Sequence, residues 1–287
     1  MELRLGRHRF GPDSTLMMAI VNRTRDSFYD RGATYDDGPA HERVKQVVDE
    51  GAEIVDIGGV RAGYGEVVDA AEEIRRVVPF VAWVREHHPG VVISVDTWRS
   101  EVAREVCAAG ADLLNDAWGG HDPRLVEVAA EFDAGVVCTH TGGLAPRTDP
   151  YRIEYDDVVA AVINETTALA ERALAAGVAR ESIVIDPAHD FGKNTFHSLE
   201  VTRRLGEMVA TGWPVLVSLS NKDFVGETLG VPTEQRLTGT LAATSVCALA
   251  GARIFRVHQV RETRQTVDMA WSIAGRRLPQ RAIRGLQ

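Results

Sequence analysis

Apolar and polar positions follow one pattern from end to end of the chain. A short apolar run rich in Val and Ile stops in polar residues, a stretch with helical spacing follows, and the next run begins. Eight runs fit: Leu16–Asn22 and residues 53–59, 91–97, 112–116, 135–140, 182–188, 214–220 and 253–259. Between them, residues 39–50, 66–88 and 154–177 carry apolar side chains on a 3.6-residue period, as Val44, Val47 and Val48 do in the first. Gly51, Gly110, Gly177 and Gly251 stand where a glycine closes a helix. Near-continuous apolar strands are buried on both faces, as in a parallel sheet, and strands alternating with helices make βαβ units. Eight such units in about 250 residues is the count of a (β/α)₈ TIM barrel. The pattern therefore predicts an α/β single domain, residues 1–287, with the barrel over about 16–275 and a short tail, 276–287. A doubly wound sheet is the alternative.

Composition narrows the function. The 287 residues are 45% hydrophobic and 25% charged, an ordinary globular balance. The net charge of −9 argues against a nucleic-acid partner held by bulk charge. Cys107, Cys138 and Cys247 are far apart and form no C-x-x-C pair, so neither a disulfide framework nor a thiolate zinc site is indicated. Residues 1–16 hold no signal-peptide run, and nothing approaches the roughly 20 apolar residues of a membrane span. The expectation is a cytoplasmic protein with reduced thiols and no membrane partner. The four arginines of the tail are read as a loosely packed end.

In a barrel of this kind the chemistry lies at the C-terminal strand ends. Here those ends offer Asn22, Asp56, Asp96, Asn115 with Asp116, His140, Asp186, Ser220 with Lys222, and Arg256 with His258. Any one of them alone is more economically a cap on the next helix. Together they have a direction. Carboxylates and amides end the second, third, fourth and sixth strands, and Lys222, Arg256 and His258 end the last two, where barrels usually bind phosphate. A ligand with a donor-rich end and an anionic end, such as a heteroaromatic phosphate ester, fits. The first strand ends in Asn22-Arg23-Thr24, without the H-x-H of barrel metallohydrolases. Residues 191–195 lack the upstream glycine of a P-loop, and Gly63-Tyr64-Gly65 is too short for a dinucleotide site. A Schiff-base role for Lys222 is disfavoured by the anion-binding neighbours Arg256 and His258.

These motifs resemble dihydropteroate synthases. The resemblance rests on Met18 to Phe28 (with Asn22, Thr24, Asp26 and Ser27), Asp56 with Gly58 and Gly59, Asp96-Thr97, Asn115-Asp116, Asp186-Pro187, Phe191 to Asn194, Ser220 with Lys222, and Arg256 with His258. They stand in the family's order across about residues 16–275. The resemblance implies a (β/α)₈ barrel that joins 6-hydroxymethyl-dihydropterin pyrophosphate to p-aminobenzoate and releases pyrophosphate with Mg²⁺. Carried over by position, it assigns the pterin to Asp96, Asn115, Asp186, Phe191 and Lys222. Asp96, Asp186 and Lys222 take the catalytic roles, with Asp96 stabilising the developing pterin cation. Arg256 and His258 hold the pyrophosphate, and Asn22 lies beside the Mg²⁺ ion and the same anion. It also implies a homodimer, in which Leu237–Ala250, apolar or small almost all round, is buried on more than one side.

The chain departs from the family on one side. After Gly59 the family reads E-S-T-R-P-G, whereas this chain has Val60 to Gly65 with Arg61 two places early. Ala188 and Asp190 replace loop glycines, Thr141 replaces a methionine, Asp223 a small hydroxyl residue, and Arg23 and Arg25 stand for Val and Pro. Most of these changes fall on the p-aminobenzoate side. Asp223 near that substrate's carboxylate sets two like charges together, a repulsion of roughly 4 kcal/mol at about 4 Å and an effective dielectric of 20. Asp190 adds to it unless Arg61, Arg23 or Arg25 compensates. The expectation is a divergent paralogue, weak or inactive with p-aminobenzoate, or a transferase with a non-anionic acceptor. A methyltetrahydrofolate-type methyltransferase domain and a structural partner of an active homologue are the further alternatives. The first two loops are expected to order only with ligand.

Overall fold

All eight apolar runs form parallel strands in the computed structural model, which describes residues 1–25 and 32–284. Asp26, Ser27 and Phe28 of the first loop, and the last three tail residues, lie outside the described residues. The barrel strands are β3 (Leu16–Asn22), β4 (Ile54–Gly58), β5 (Val92–Asp96), β6 (Leu113–Asp116), β7 (Gly135–Thr139), β8 (Ile183–Asp186), β9 (Leu216–Val217) and β10 (Ile254–Val257). Each pairs with the next in sequence, β10 returns to pair with β3, and the Ile185–Val215 bridge closes the ring between β8 and β9. This is the expected TIM barrel. Only two residues of the seventh run keep regular pairing on β10, so this strand is shorter than its apolar run.

The covering helices obey local chemistry. Helix α1 (Asp37–Asp49) covers all but the last residue of the periodic stretch 39–50, and α9 (Leu237–Ala250) has the bounds of the apolar and small-residue run. Helices α2 (Ala70–His87) and α5 (Val158–Ala175) start four residues later than the period suggests, because Asp69 and Asp157 accept the first free backbone N–H groups. Gly51, Gly110, Gly177 and Gly251 all have positive φ, as helix-closing glycines do. The other helices that matter below are α6 (Thr195–Arg203), α8 (Asp223–Leu229) and α10 (Val260–Ile273).

A short hairpin, β1 (Leu3–Leu5) with β2 (His8–Phe10), plugs the N-terminal end of the barrel. Leu3 and Leu5 are fully buried against the inward-facing Leu16, Met18, Ile54 and Leu113. Burying a leucine is worth about 1.5–3 kcal/mol. Above this apolar floor the inward positions turn polar, with Asp56, Ser94, Asn115, Thr139 and Asp186 all buried. Strand alternation therefore divides the interior into a sealed bottom and a hydrogen-bonding top.

Candidate functional site

Strand register assembles the top of the barrel. Asn22 pairs across with Gly58, Gly58 with Asp96, and Asp96 with Asn115, so four consecutive strands present one row. Gly58 adds no side chain to it; a Cβ there would lie 3.3 Å from the Asn22 side-chain oxygen. One row deeper, Asp56 is fully buried and accepts hydrogen bonds from Ser94 Oγ at 2.6 Å, Asn115 Nδ2 at 3.3 Å and Arg256 Nε at 2.6 Å. A second guanidinium nitrogen of Arg256 donates to Asp96 at 2.9 Å. Arg256 thus bridges two carboxylates across the barrel. Burial, then Asp56 and other neighbouring carboxylates, raise Asp96 to about 7 against the opposing pull of Arg256. Among the row of polar strand ends, Asp56 carries no assigned role in the sequence reading. Its partner lies 200 positions away, and only the inward register reveals the pair.

The β8 loop brings Asp186, Phe191 and Lys222 together. The Asp186 carboxylate accepts from the Ala188 N–H at 2.7 Å. Lys222 donates to the His189 carbonyl, and its ammonium sits 4.9 Å from the Phe191 ring centroid. Burial raises Asp186 and lowers Lys222, each acting against the other's charge. Ala188 and Asp190, the two glycine replacements, keep the left-handed backbone with φ of 48° and 70°. That conformation costs a non-glycine residue roughly 1–2 kcal/mol. The loop holds its shape even so, because Asp190 accepts from Ser198 Oγ at 3.1 Å and from the Phe224 N–H at 3.3 Å.

His258 directly follows β10, and its Nδ1 lies 2.9 Å from Ser220 Oγ. Burial, then Arg256 and Arg43, lower it to about 3, so the imidazole is neutral at pH 7. The three basic strand ends therefore supply two charges, from Lys222 and Arg256, not three. Arg43 of α1 donates to the His258 carbonyl and is a cation the strand ends alone do not point to.

The acceptor side differs from the sequence expectation at Asp223 and Asp190. Asp223 is largely exposed and paired with Arg236 at 2.8 Å. Its repulsion of a nearby carboxylate is thereby screened to about 1 kcal/mol, the value for a 4 Å pair in water. Asp190 is turned into the protein by the bonds above. Arg23 does not compensate either; it is buried over the Phe80 ring and paired with Asp37 at 2.5 Å, and Arg25 lies over Tyr35.

The second loop is held by packing and by hydrogen bonds from three arginines. Val60 and Val68 are buried against Trp98 and Trp118, with Phe191 packed alongside. Arg76 donates to the Gly59 carbonyl at 3.3 Å and pairs with Glu66 at 3.1 Å. Arg99 donates to the Val68 carbonyl at 2.8 Å. Arg147, from the β7–α5 connection, donates to the carbonyls of Gly63 at 3.2 Å and Glu66 at 2.9 Å. Arg61 stays half-buried on this loop.

Fold and site thus define a class. Residues 18–258 match the family of pterin-binding enzymes, and the chain belongs to that family. Within it the chain is a dihydropteroate-synthase-like protein. It is 60% identical over 278 residues to the inactive dihydropteroate synthase 2 of Mycobacterium tuberculosis H37Rv, covering 96% of this chain and 87% of that one. The inactive dihydropteroate synthase 2 of Mycobacterium leprae is 59% identical over 278 residues, covering 96% of both chains. The Yersinia pestis dihydropteroate synthase, solved in a sulfonamide drug complex, superposes with a TM-score of 0.90 at 32% identity, over 96% of this chain and all of that one.

Proposed function

We propose that this chain is a folate-pathway dihydropteroate synthase paralogue that keeps a pterin and pyrophosphate site and is weak or inactive with p-aminobenzoate. One observation carries the reading. The pterin-side residues Asp96, Asn115, Asp186, Lys222 and Arg256 converge on the barrel top, while the acceptor-side loop is latched by Arg76, Arg99 and Arg147 around an apolar cluster. The similarity to two mycobacterial relatives, both named inactive, supports the second half.

In the family reaction, pyrophosphate leaves the pterin methylene and the aryl amine takes its place. Here Asp186 and Asn115 hold the aminopyrimidine edge, Lys222 and Phe191 confine the ring, and Asp96 faces the developing positive charge. Arg256 and His258 receive the anion beside Asn22. Among the described residues no three His, Cys, Asp or Glu side chains gather for a metal. Asn22 would hold a Mg²⁺ ion that arrives with the pyrophosphate, and the ion would supply charge neutralisation of the leaving group.

A second reading, transfer to a neutral or cationic acceptor, is favoured by the changed loop Val60 to Gly65, which lacks the family's E-S-T-R-P-G sequence on the p-aminobenzoate side. Pyrophosphate release with Mg²⁺, with and without p-aminobenzoate and beside Asp186→Asn, separates the readings. We expect little or no release that depends on p-aminobenzoate; release at an ordinary enzymatic rate, lost in the variant, overturns the proposal.

The assembly proposed is a homodimer. Val246 and Leu249 of α9 and Met269 and Ile273 of α10 stand exposed on the outer face, and light scattering tests whether a second copy covers them. No helix among the described residues is long and apolar enough to cross a membrane, and the three cysteines are free and buried, which fits the cytoplasmic reading.

A further inference from the structure

We propose that Lys193, buried beneath the β8 loop and bonded to His140, is the positioning residue that sets Asp186 and Phe191 for the pterin ring. The inference rests on the pterin site proposed above. Lys193 is 2% exposed, and its ammonium donates three hydrogen bonds: to His140 Nδ1 at 2.6 Å, to the Phe191 carbonyl at 2.9 Å and to the Ala188 carbonyl at 3.2 Å. Three acceptors match the three donors of an ammonium, a match that opposes the lowering of this lysine by burial and by Lys222.

Two of these acceptors belong to the residues that shape the loop. Ala188 also donates its N–H to the Asp186 carboxylate at 2.7 Å, so its peptide links Lys193 to that side chain. Phe191 carries the ring beside Lys222. Between Ala188 and Gly192 the backbone visits the left-handed region three times, with φ of 48°, 70° and 57° at Ala188, Asp190 and Gly192. A backbone so far from its ordinary minima keeps one shape only if its inward carbonyls are held. Lys193 holds two of them from below.

The third acceptor anchors the lysine to the barrel. His140 follows β7 directly, and its N–H bonds to the Asp186 carbonyl at 3.1 Å. With Nδ1 accepting from Lys193, the imidazole proton sits on Nε2, which lies 3.5 Å from Glu165 Oε2. Glu165 in turn accepts from the Thr141 N–H at 2.9 Å. The bonded chain therefore runs from His140 at the end of β7 through Lys193 into the loop, with Glu165 of α5 near the outer edge of the imidazole.

The test compares Lys193→Met, His140→Leu and His140→Asn with the parent protein at pH 6.0, below the value of about 7 to which burial, then Lys222, lowers Lys193. Asn at 140 can still offer an oxygen to the ammonium; Leu cannot. Equilibrium binding is measured for two probes, 6-hydroxymethylpterin and inorganic pyrophosphate with Mg²⁺, and circular dichroism checks the fold. We expect Lys193→Met and His140→Leu to weaken pterin binding by ten- to hundredfold, His140→Asn by less than threefold, and pyrophosphate binding to stay within twofold throughout. A folded Lys193→Met that binds the pterin as the parent does overturns the inference. So does an equal loss for both probes, or His140→Asn failing as badly as His140→Leu. Should Lys193→Met not fold, the two His140 variants decide. A parent protein that binds no pterin at all refutes the pterin site itself, a result distinct from any of these.

Discussion

Asp56→Asn tests the buried bridge on which the pterin side is built. The wild-type carboxylate is inaccessible to solvent and receives Ser94 Oγ, Asn115 Nδ2 and Arg256 Nε at 2.6–3.3 Å. An asparagine keeps one acceptor oxygen and turns an NH₂ toward donors. Arg256 then has Asp96 as its remaining carboxylate among these bonds, at 2.9 Å. Removing one partner of a buried ion pair costs about 3–5 kcal/mol, and the surviving Asp96 bond lowers this to about 3. At about 2–3 °C per kcal/mol for a domain of this size, the thermal midpoint falls by about 6–9 °C. The assay is thermal and urea unfolding of wild type, Asp56→Asn, Arg256→Met and the double variant. Because the two side chains touch, the double variant should lose about 2 kcal/mol less than the sum of the singles. A drop under about 2 °C in Asp56→Asn, or strict additivity in the cycle, would refute the claim that this bridge organises the interior.

Three further predictions follow from other parts of the site. Arg147→Ala removes two bonds to the second loop, each worth about 0.5–1.5 kcal/mol, so chymotrypsin should cut after the exposed Tyr64 about tenfold faster; an unchanged rate removes the latch. His140 is lowered to about 3 by burial and by Lys193, so it contributes stability above its unfolded value near 6.5 that is lost as pH falls toward 3. The stability gap between wild type and His140→Asn should accordingly narrow by about 2–3 kcal/mol between pH 7.5 and 4.5, read from urea midpoints. Asp223→Ser should leave pyrophosphate release with p-aminobenzoate within about twofold, because Arg236 already neutralises the exposed carboxylate; a rise of more than about tenfold restores charge repulsion as the block.

What the sequence made legible, and what it hid, divides along physical lines. The barrel was readable because strand burial and helix period repeat eight times, and Gly51, Gly110, Gly177 and Gly251 mark helix ends at positions whose φ demands glycine. The strand-end residues were readable for the same reason: a run that stops abruptly names its last side chain. The β1–β2 plug was not, because three-residue strands carry no periodic signal and the value of Leu3 and Leu5 comes from a floor contributed by distant strands. Partner choice was equally hidden. Asp190 and Asp223 read as two negative charges facing an anionic substrate, yet one caps α8 and the other faces solvent beside Arg236. His258 read as a cation until its burial beside Arg256 made it neutral.

This division bears on why the two halves of the site have diverged unequally. Each pterin-side residue also holds the barrel together: Arg256 ties Asp56 to Asp96, Asn115 bonds to Asp56, and Lys222 grips the His189 carbonyl. Losing any one leaves a buried polar group unpaired, at a cost of about 1–3 kcal/mol or more for a charge, whether or not a ligand ever binds. The acceptor side sits on loops over the mouth. There Val60 and Val68 bury themselves locally and Arg147 and Arg99 satisfy backbone carbonyls, so a changed loop closes on itself with little loss. A chain released from the need to turn over p-aminobenzoate would therefore drift first in those loops, while the buried bonds of the strand ends resist change. An assembled barrel top is therefore what stability alone predicts, and the acceptor loops are where an enzyme and a binding protein on this fold part.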